Sequence, residues 1–233
     1  MQDRKIAILQ SNYIPWKGYF DLIAKSDTFV IYDEVQYTKN DWRNRNLIKT
    51  ANGLDWITIP VRQISLDQKI EETKIITHHW AKKHMATLQG NYSKAPFFKL
   101  YKEAIFSLYE IKTEYISEIN LSFIKGICKL LDIKTEIIRS NELNLNGDKN
   151  TRLLEACKKL GATTYISGPS AKNYLNVKLF DDANIKVDWM DYSDYKEYNQ
   201  LFPTFQHGVT ILDLIFNLGP HAKDYLKYTS HYL

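Results

Sequence analysis

Two short apolar runs, KIAIL at 5–9 and TFVIYD at 28–33, flank a helix-capable segment at 17–25. That spacing constrains the fold more than any other feature of the chain. Strands joined through a helix return to the same end of a sheet and pair in parallel. The rhythm continues in WITIPV (56–61), KTEIIRS (134–140), TTYIS (163–167) and IKVDWMDY (185–192). Strand cores are therefore expected near 5–9, 28–33, 56–61, 135–139, 163–167 and 186–190. Helical patterns fall at 79–90, 97–110 and 120–131, with Pro96 breaking the first from the second. Later ones run over 150–161, closed by Gly161, over 170–176, and over 209–219, stopped by Gly219 and Pro220. The expected fold is α/β: a mostly parallel, doubly wound, Rossmann-like sheet with a helical insertion. A mixed sheet is the alternative. Residues 1–76 and 132–233 would form the core, and 77–131 a helical crossover or cap within the same domain. In the expected order the strand at 135–139 returns beside the first. Ligands of open α/β sheets bind where the strand order reverses, here under the loops at 10–18 and 140–149.

The first of these loops lies within LQSNYIPWKGYFDLI (9–23). A Rossmann protein carries its glycine-rich phosphate loop at this point, yet here stand Tyr13, Pro15 and Trp16. Gly18 permits close approach of a ligand or a backbone. The rings of Tyr13, Trp16 and Tyr19 suit stacking on a sugar or base, and equally suit packing of the first helix onto the sheet.

Asp33 closes the second strand, where an acid can grip a ribose hydroxyl or act as a general base; Glu34 reads as its solvated neighbour. From Gln36 to Lys49 the chain carries Lys39, Arg43, Arg45 and Lys49 against Asp41. On a loop, Arg43 and Arg45 could converge on a diphosphate, while on a strand they would point apart. Asn44 and Asn46 offer donors and acceptors for sugar hydroxyls.

His84 and His207 are the acid–base candidates beside Asp33, and Tyr92 is expected near the same cleft. Asp148, Lys149 and Arg152 sit in a loop that could approach a phosphate. Ser167 and Ser170, in SGPSAKN between a strand and a helix, have a phosphate-loop-like location or else cap the helix. Asp213 is a lone charge within TILDLIF, so it needs a partner. Tyr13, Trp16, Asp33, Arg45 and His207 are expected to line one crevice.

Several function classes fall away. Net charge is only +4, from 31 Lys and Arg against 27 Asp and Glu, and the basic residues are scattered, so no nucleic-acid binder is indicated. No apolar stretch approaches membrane-span length, and no leader-like h-region opens the chain, so cytoplasmic residence is expected. Cys128 and Cys157 read as buried thiols without metal spacing. His79 and His84 lack zinc-helix spacing. No metal or cofactor is expected to be required, although Mg²⁺ could bind weakly through a ligand's phosphates. There is no nucleophile elbow and no P-loop.

Together, LQSNYIPWKGYFDLI, FVIYDEVQYTKNDWRNRNLIK, GNYSKAPFF and FPTFQHGVTILDLIFNLG resemble the WbqC-like family. The resemblance runs from Ile8 to Gly219. It implies a setting in bacterial surface-polysaccharide or O-antigen biosynthesis, where such proteins are often encoded. A second likeness concerns fold: PWKGYFDLI before DTFVIYD has the strand–loop–helix–strand rhythm of HIGH-type nucleotidyltransferases, with Tyr19 where their second histidine stands. The function expected is group transfer on a nucleotide-linked sugar, and the alternative is a non-catalytic binder of a glycan intermediate or a scaffold.

Overall fold

The structure, a computed structural model, describes residues 3–229. In chain order its elements begin with β1 (Lys5–Leu9), α1 (Lys17–Lys25) and β2 (Thr28–Ile31). Then come four strands outside the main sheet: β3 (Arg45–Thr50), β4 (Gly53–Thr58), β5 (Val61–Arg62) and β6 (Lys74–Ile75). Helices α2 (His79–Tyr92), α3 (Phe98–Phe106) and α4 (Ile116–Leu130) follow. The chain continues through β7 (Glu136–Arg139), α5 (Lys149–Lys159), β8 (Thr164–Ser167), α6 (Val177–Asp181), β9 (Lys186–Trp189) and α7 (Ile211–Leu218).

The main sheet has five strands in the order β7-β2-β1-β8-β9, and each neighbouring pair is parallel. Helices cover both faces, so the molecule is α/β and Rossmann-like with an insertion between β2 and β7. One core lies under α1, α2, α3, α4 and α7, and the other under α5 and α6. Strand alternation divides the side chains between them. Phe29 and Ile31 enter the first core, whereas Val30 and Tyr32 enter the second.

Two expectations are corrected. Residues 56–61 add no strand to the main sheet; residues 53–58 instead form a hairpin with β3, from Arg45↔Thr58 to Thr50↔Gly53. Gly53, at φ +106, follows the two-residue turn Ala51–Asn52. Trp56 is exposed while Ile57 is buried, the half-wet alternation of an antiparallel ribbon. The second correction concerns β7, which pairs with β2 at the sheet edge and does not return beside β1. The strand next to β1 is β8, with Ile6 opposite Tyr165. Burial accounts for the difference: all four residues of β8 are buried, whereas β7 begins with exposed Glu136. The strand order therefore reverses between β1 and β8. The loops at that reversal are 10–16 and 168–176, so 168–176 takes the place expected for 140–149.

Candidate functional site

A cleft of about 750 Å³ opens over the C-terminal ends of β1, β2 and β8. Gln10 and Trp16 reach it from the first loop, and Tyr32 and Glu34 from the end of β2. Lys149 and Arg152 come from the first turn of α5, and Ser167, Gly168 and Ser170 from the end of β8. A second hollow of about 120 Å³ is bounded by Asn12, Pro15, Trp16, Trp42, Asn46 and Gly208. Trp16 belongs to both.

The first loop is clamped hard. Ile14 is buried and β-branched, yet lies at φ +42, a conformation that such residues resist. Asn46 Nδ2 donates to the carbonyls of Tyr13 and Ile14 at 3.0 and 2.8 Å, and Thr210 Oγ1 donates to the Ile14 carbonyl at 2.8 Å. The Ile211 amide donates to the Pro15 carbonyl at 2.9 Å. Beyond this turn the Trp16 indole folds back over α1. A Cβ on Gly18 would stand only 2.3 Å from Trp16 Cζ2. Gly18 thus gives room to a ring at the place where a Rossmann glycine gives room to a pyrophosphate. Tyr192 and Tyr195 hold the other sides of that ring edge-on, with centroids 5.2 and 5.9 Å away.

At the end of β2 the alternation separates neighbouring acids. Asp33 faces inward, is 4% exposed, and accepts from the Ser11 amide at 2.8 Å and Ser117 Oγ at 2.5 Å. Burial raises its pKa against the opposing pull of those hydrogen bonds. Glu34 faces the cleft and pairs with Arg152 at 3.2 Å. Arg152 also lies over the Tyr32 ring at 5.2 Å. Glu34 Oε2 and Arg152 Nε are buried without a hydrogen-bond partner. Lys149 Nζ stands 3.3 Å from the Tyr174 ring centroid, and desolvation lowers its pKa. Glu34 is therefore the cleft acid, not the solvated neighbour that its sequence position suggested.

The single crevice expected from the sequence does not form. Trp16, Ser167 and Ser170 line the large cleft, whereas Tyr13, Asp33, Arg45 and His207 do not. Tyr13 is fully buried, 2.9 Å from His84 Nδ1 and 3.1 Å from the Tyr109 hydroxyl. His84 Nε2 lies 3.1 Å from the Thr58 carbonyl, so this nitrogen carries the proton and Nδ1 accepts from Tyr13. Burial pushes His84 down to about 4. Tyr19 is buried and donates to the Gln10 carbonyl at 3.0 Å. Tyr92 packs inside the first core, donating to Asp213 at 3.0 Å and accepting from the Lys49 amide. Asp213 also accepts from the Tyr198 hydroxyl at 2.7 Å and from Gln200 Nε2 at 3.0 Å, which supplies the partners its lone charge needs.

Arg43 and Arg45 diverge, Arg43 lying in the turn before β3 and Arg45 beginning the strand. Arg43 reaches Asn12 Oδ1 at 2.5 Å and Gln10 Oε1 at 3.4 Å, behind the cleft wall. Arg45 stacks on Trp56 at 4.0 Å. Asn44 is buried and donates to the Ile59 carbonyl at 2.9 Å. His207 precedes Gly208, which bounds the small hollow, and its ring stands 4.6 Å from the Phe205 ring with Nδ1 buried and unpartnered. Burial and the nearby Lys17 charge lower its pKa. Neither Ser167 nor Ser170 caps the turn after β8, because Gly168 holds the cap position. Asp148 accepts from the Thr151 amide at 2.8 Å as the cap of α5.

Sequence reasoning passed over Gln10, Tyr32, Tyr174 and Tyr192 and misjudged Glu34. The parity of the strand was the signal for Tyr32 and Glu34: both share the face of Val30. Among the described residues no group of three or more His, Cys, Asp and Glu could hold a metal. None of the described helices is long and apolar enough to cross a membrane.

These features define a Rossmann-like α/β protein whose open cleft sits at the strand-order reversal, with an aromatic loop in place of the glycine-rich one. The chain belongs to the WbqC-like protein family, whose model matches residues 10–225. It is 47% identical over 227 residues to the uncharacterized protein Rv1507c of Mycobacterium tuberculosis, covering 97% of this chain and 98% of that protein. No solved structure matches the chain.

Proposed function

We propose that the protein is a cytoplasmic transferase of surface-glycan assembly that binds a nucleotide-linked sugar in the large cleft. The observation that carries this reading is the cleft's position and lining. It lies at the reversal between β1 and β8, where α/β sheets bind nucleotides, and it holds Arg152, Lys149 and Glu34 together. Its volume, about 750 Å³, lies within the range of small-molecule and cofactor sites. Arg152 and Lys149 hold the diphosphate, and Ser167 and Ser170 donate to ligand oxygens. Mg²⁺, where it binds, does so through those phosphates.

The acceptor enters across Trp16 from the smaller hollow. There His207 takes the proton from a hydroxyl or amine that attacks the anomeric carbon of the sugar, the bond from that carbon to the phosphate oxygen breaks, and the nucleoside diphosphate leaves on Arg152 and Lys149. The lowered pKa of His207 keeps the imidazole in its neutral, proton-accepting form near pH 7. Asp33 and His84, bonded inside the molecule, position the loops. Catalysis then rests on proximity and charge rather than on a covalent enzyme intermediate.

Native mass spectrometry of the purified protein against a panel of nucleotide sugars and free nucleotides tests the reading. At least one should bind, Arg152→Ala should weaken it and reduce its salt dependence, and His207→Ala should spare binding while stopping turnover. No binding by any nucleotide, or full turnover without His207, would overturn it. A second reading, a non-catalytic glycan binder, is favoured by Trp42 and Trp56, each 40% exposed with centroids 5.3 Å apart. Binding without turnover of any donor would select it.

A further inference from the structure

Glu34 has an arrangement that ordinary surface ion pairs lack. Its carboxylate stands past the end of the second strand of the sheet, and Arg152 engages only Oε1, at 3.2 Å. Oε2 is buried and has no partner. Leaving a buried carboxylate oxygen unpaired costs its desolvation free energy, so the arrangement calls for a donor. Within the cleft the nearby cations do not supply it. Arg152 meets the carboxylate through one Nη at Oε1 alone, its buried Nε is itself without a partner and its guanidinium lies over Tyr32, and Lys149 is drawn onto the Tyr174 ring. A phosphate is the wrong complement, since it would meet the carboxylate as a like charge. The fitting complement is a neutral hydroxyl donor, and a carboxylate with its two oxygens side by side accepts best from two vicinal hydroxyls.

The position narrows the choice of hydroxyls. In a parallel sheet with this strand order, an acid just beyond the second strand lies where the ribose of a bound nucleotide comes to rest. Phosphates would then lie toward Lys149 on α5, with Arg152 bridging the two groups. The Ser167 and Ser170 side of the cleft is left for the rest of the ligand.

Resting on the nucleotide-sugar reading above, we infer that Glu34 reads the 2′,3′-diol of the nucleotide, so that the ligand is a ribonucleotide and not a deoxyribonucleotide. Arg152 is a positioning residue for that carboxylate as well as a phosphate contact. The inference separates ribonucleoside-linked sugars from thymidine-linked ones, a choice that neither the fold nor the family fixes.

The test is titration calorimetry of the full chain with UDP, GDP, ADP and CMP against their 2′-deoxy counterparts. The wild-type protein should bind at least one ribonucleotide about tenfold or more tightly than the matching deoxynucleotide, the loss expected for one charged hydrogen bond. Glu34→Gln should bring that ratio down to about two or less. Equal affinity of the wild type for ribo and deoxy forms would overturn the role of Glu34 and leave the nucleotide-sugar reading standing. Retained discrimination in Glu34→Gln would do the same. Failure of every nucleotide to bind would remove both. The wild-type comparison decides the matter even if the variant does not fold.

Discussion

His84 exposes how a residue suited to catalysis can be used to hold a loop instead. It lies between the Tyr13 hydroxyl and the Thr58 carbonyl, tying the first loop to the hairpin. Burial moves it from 6.5 to about 4. The unfolded chain takes up a proton at His84 below pH 6.5, whereas the folded chain does not until about pH 4. Its contribution to stability is therefore complete above pH 6.5 and is lost progressively as the pH falls to about 4. Between pH 7.5 and 5 this single group should account for roughly 2 kcal/mol. Urea unfolding of wild type and His84→Gln at both pH values measures it as a difference of differences. An identical pH response in the two proteins would show that His84 titrates alike in the folded and unfolded chain.

At the scale of elements, the first loop, the β3–β4 hairpin and α7 form one clamped unit, and Asn46 is its pin. Asn46→Ala would leave the Tyr13 carbonyl unpaired and the Ile14 carbonyl with Thr210 as its side-chain donor. A loss of about 2–3 kcal/mol is expected, read from denaturant midpoints at constant slope. A loss below about 0.5 kcal/mol would mean that the strained Ile14 turn stands without its pin. This unit also marks the limit of what the sequence makes legible. The β-α-β rhythm at 5–33 and the run at 164–167 were legible because burial on both faces leaves a plain pattern, and edge strand 186–189 through its alternation. WITIPV resembled them because Ile57 and Ile59 are core residues, yet Trp56 beside buried Ile57 faces water. Which strand neighbours which is not written in periodicity, so β7 was placed beside the wrong partner. The cleft position was legible at Trp16, Ser167 and Ser170, because Trp16 caps the helix after β1 and the serines stand at the end of β8. It was hidden at Glu34, because a shift of one residue past a strand end turns a side chain to the opposite face.

For the whole molecule, the strand order β7-β2-β1-β8-β9 decides where ligand chemistry can gather. Splitting the chain outward from β1 in two directions leaves a gap above β1 and β8 that neither half fills. The Trp16 ring, lying over Gly18, closes the helix side of that gap, and Tyr192 and Tyr195 extend the wall from the segment after β9. A nucleotide sugar held there would touch residues that are far apart in sequence and would leave the exposed Trp42 and Trp56 face untouched. Hydrogen–deuterium exchange of the protein, with and without the nucleotide sugar that binds best in the mass-spectrometric screen, reads this directly. Protection should rise together in four segments, 10–18, 32–38, 147–153 and 167–174, with little change at 42–58. Protection confined to 42–58, or absent from the segments at the ends of β1 and β8, would place the ligand elsewhere and contradict a nucleotide site at the strand-order reversal.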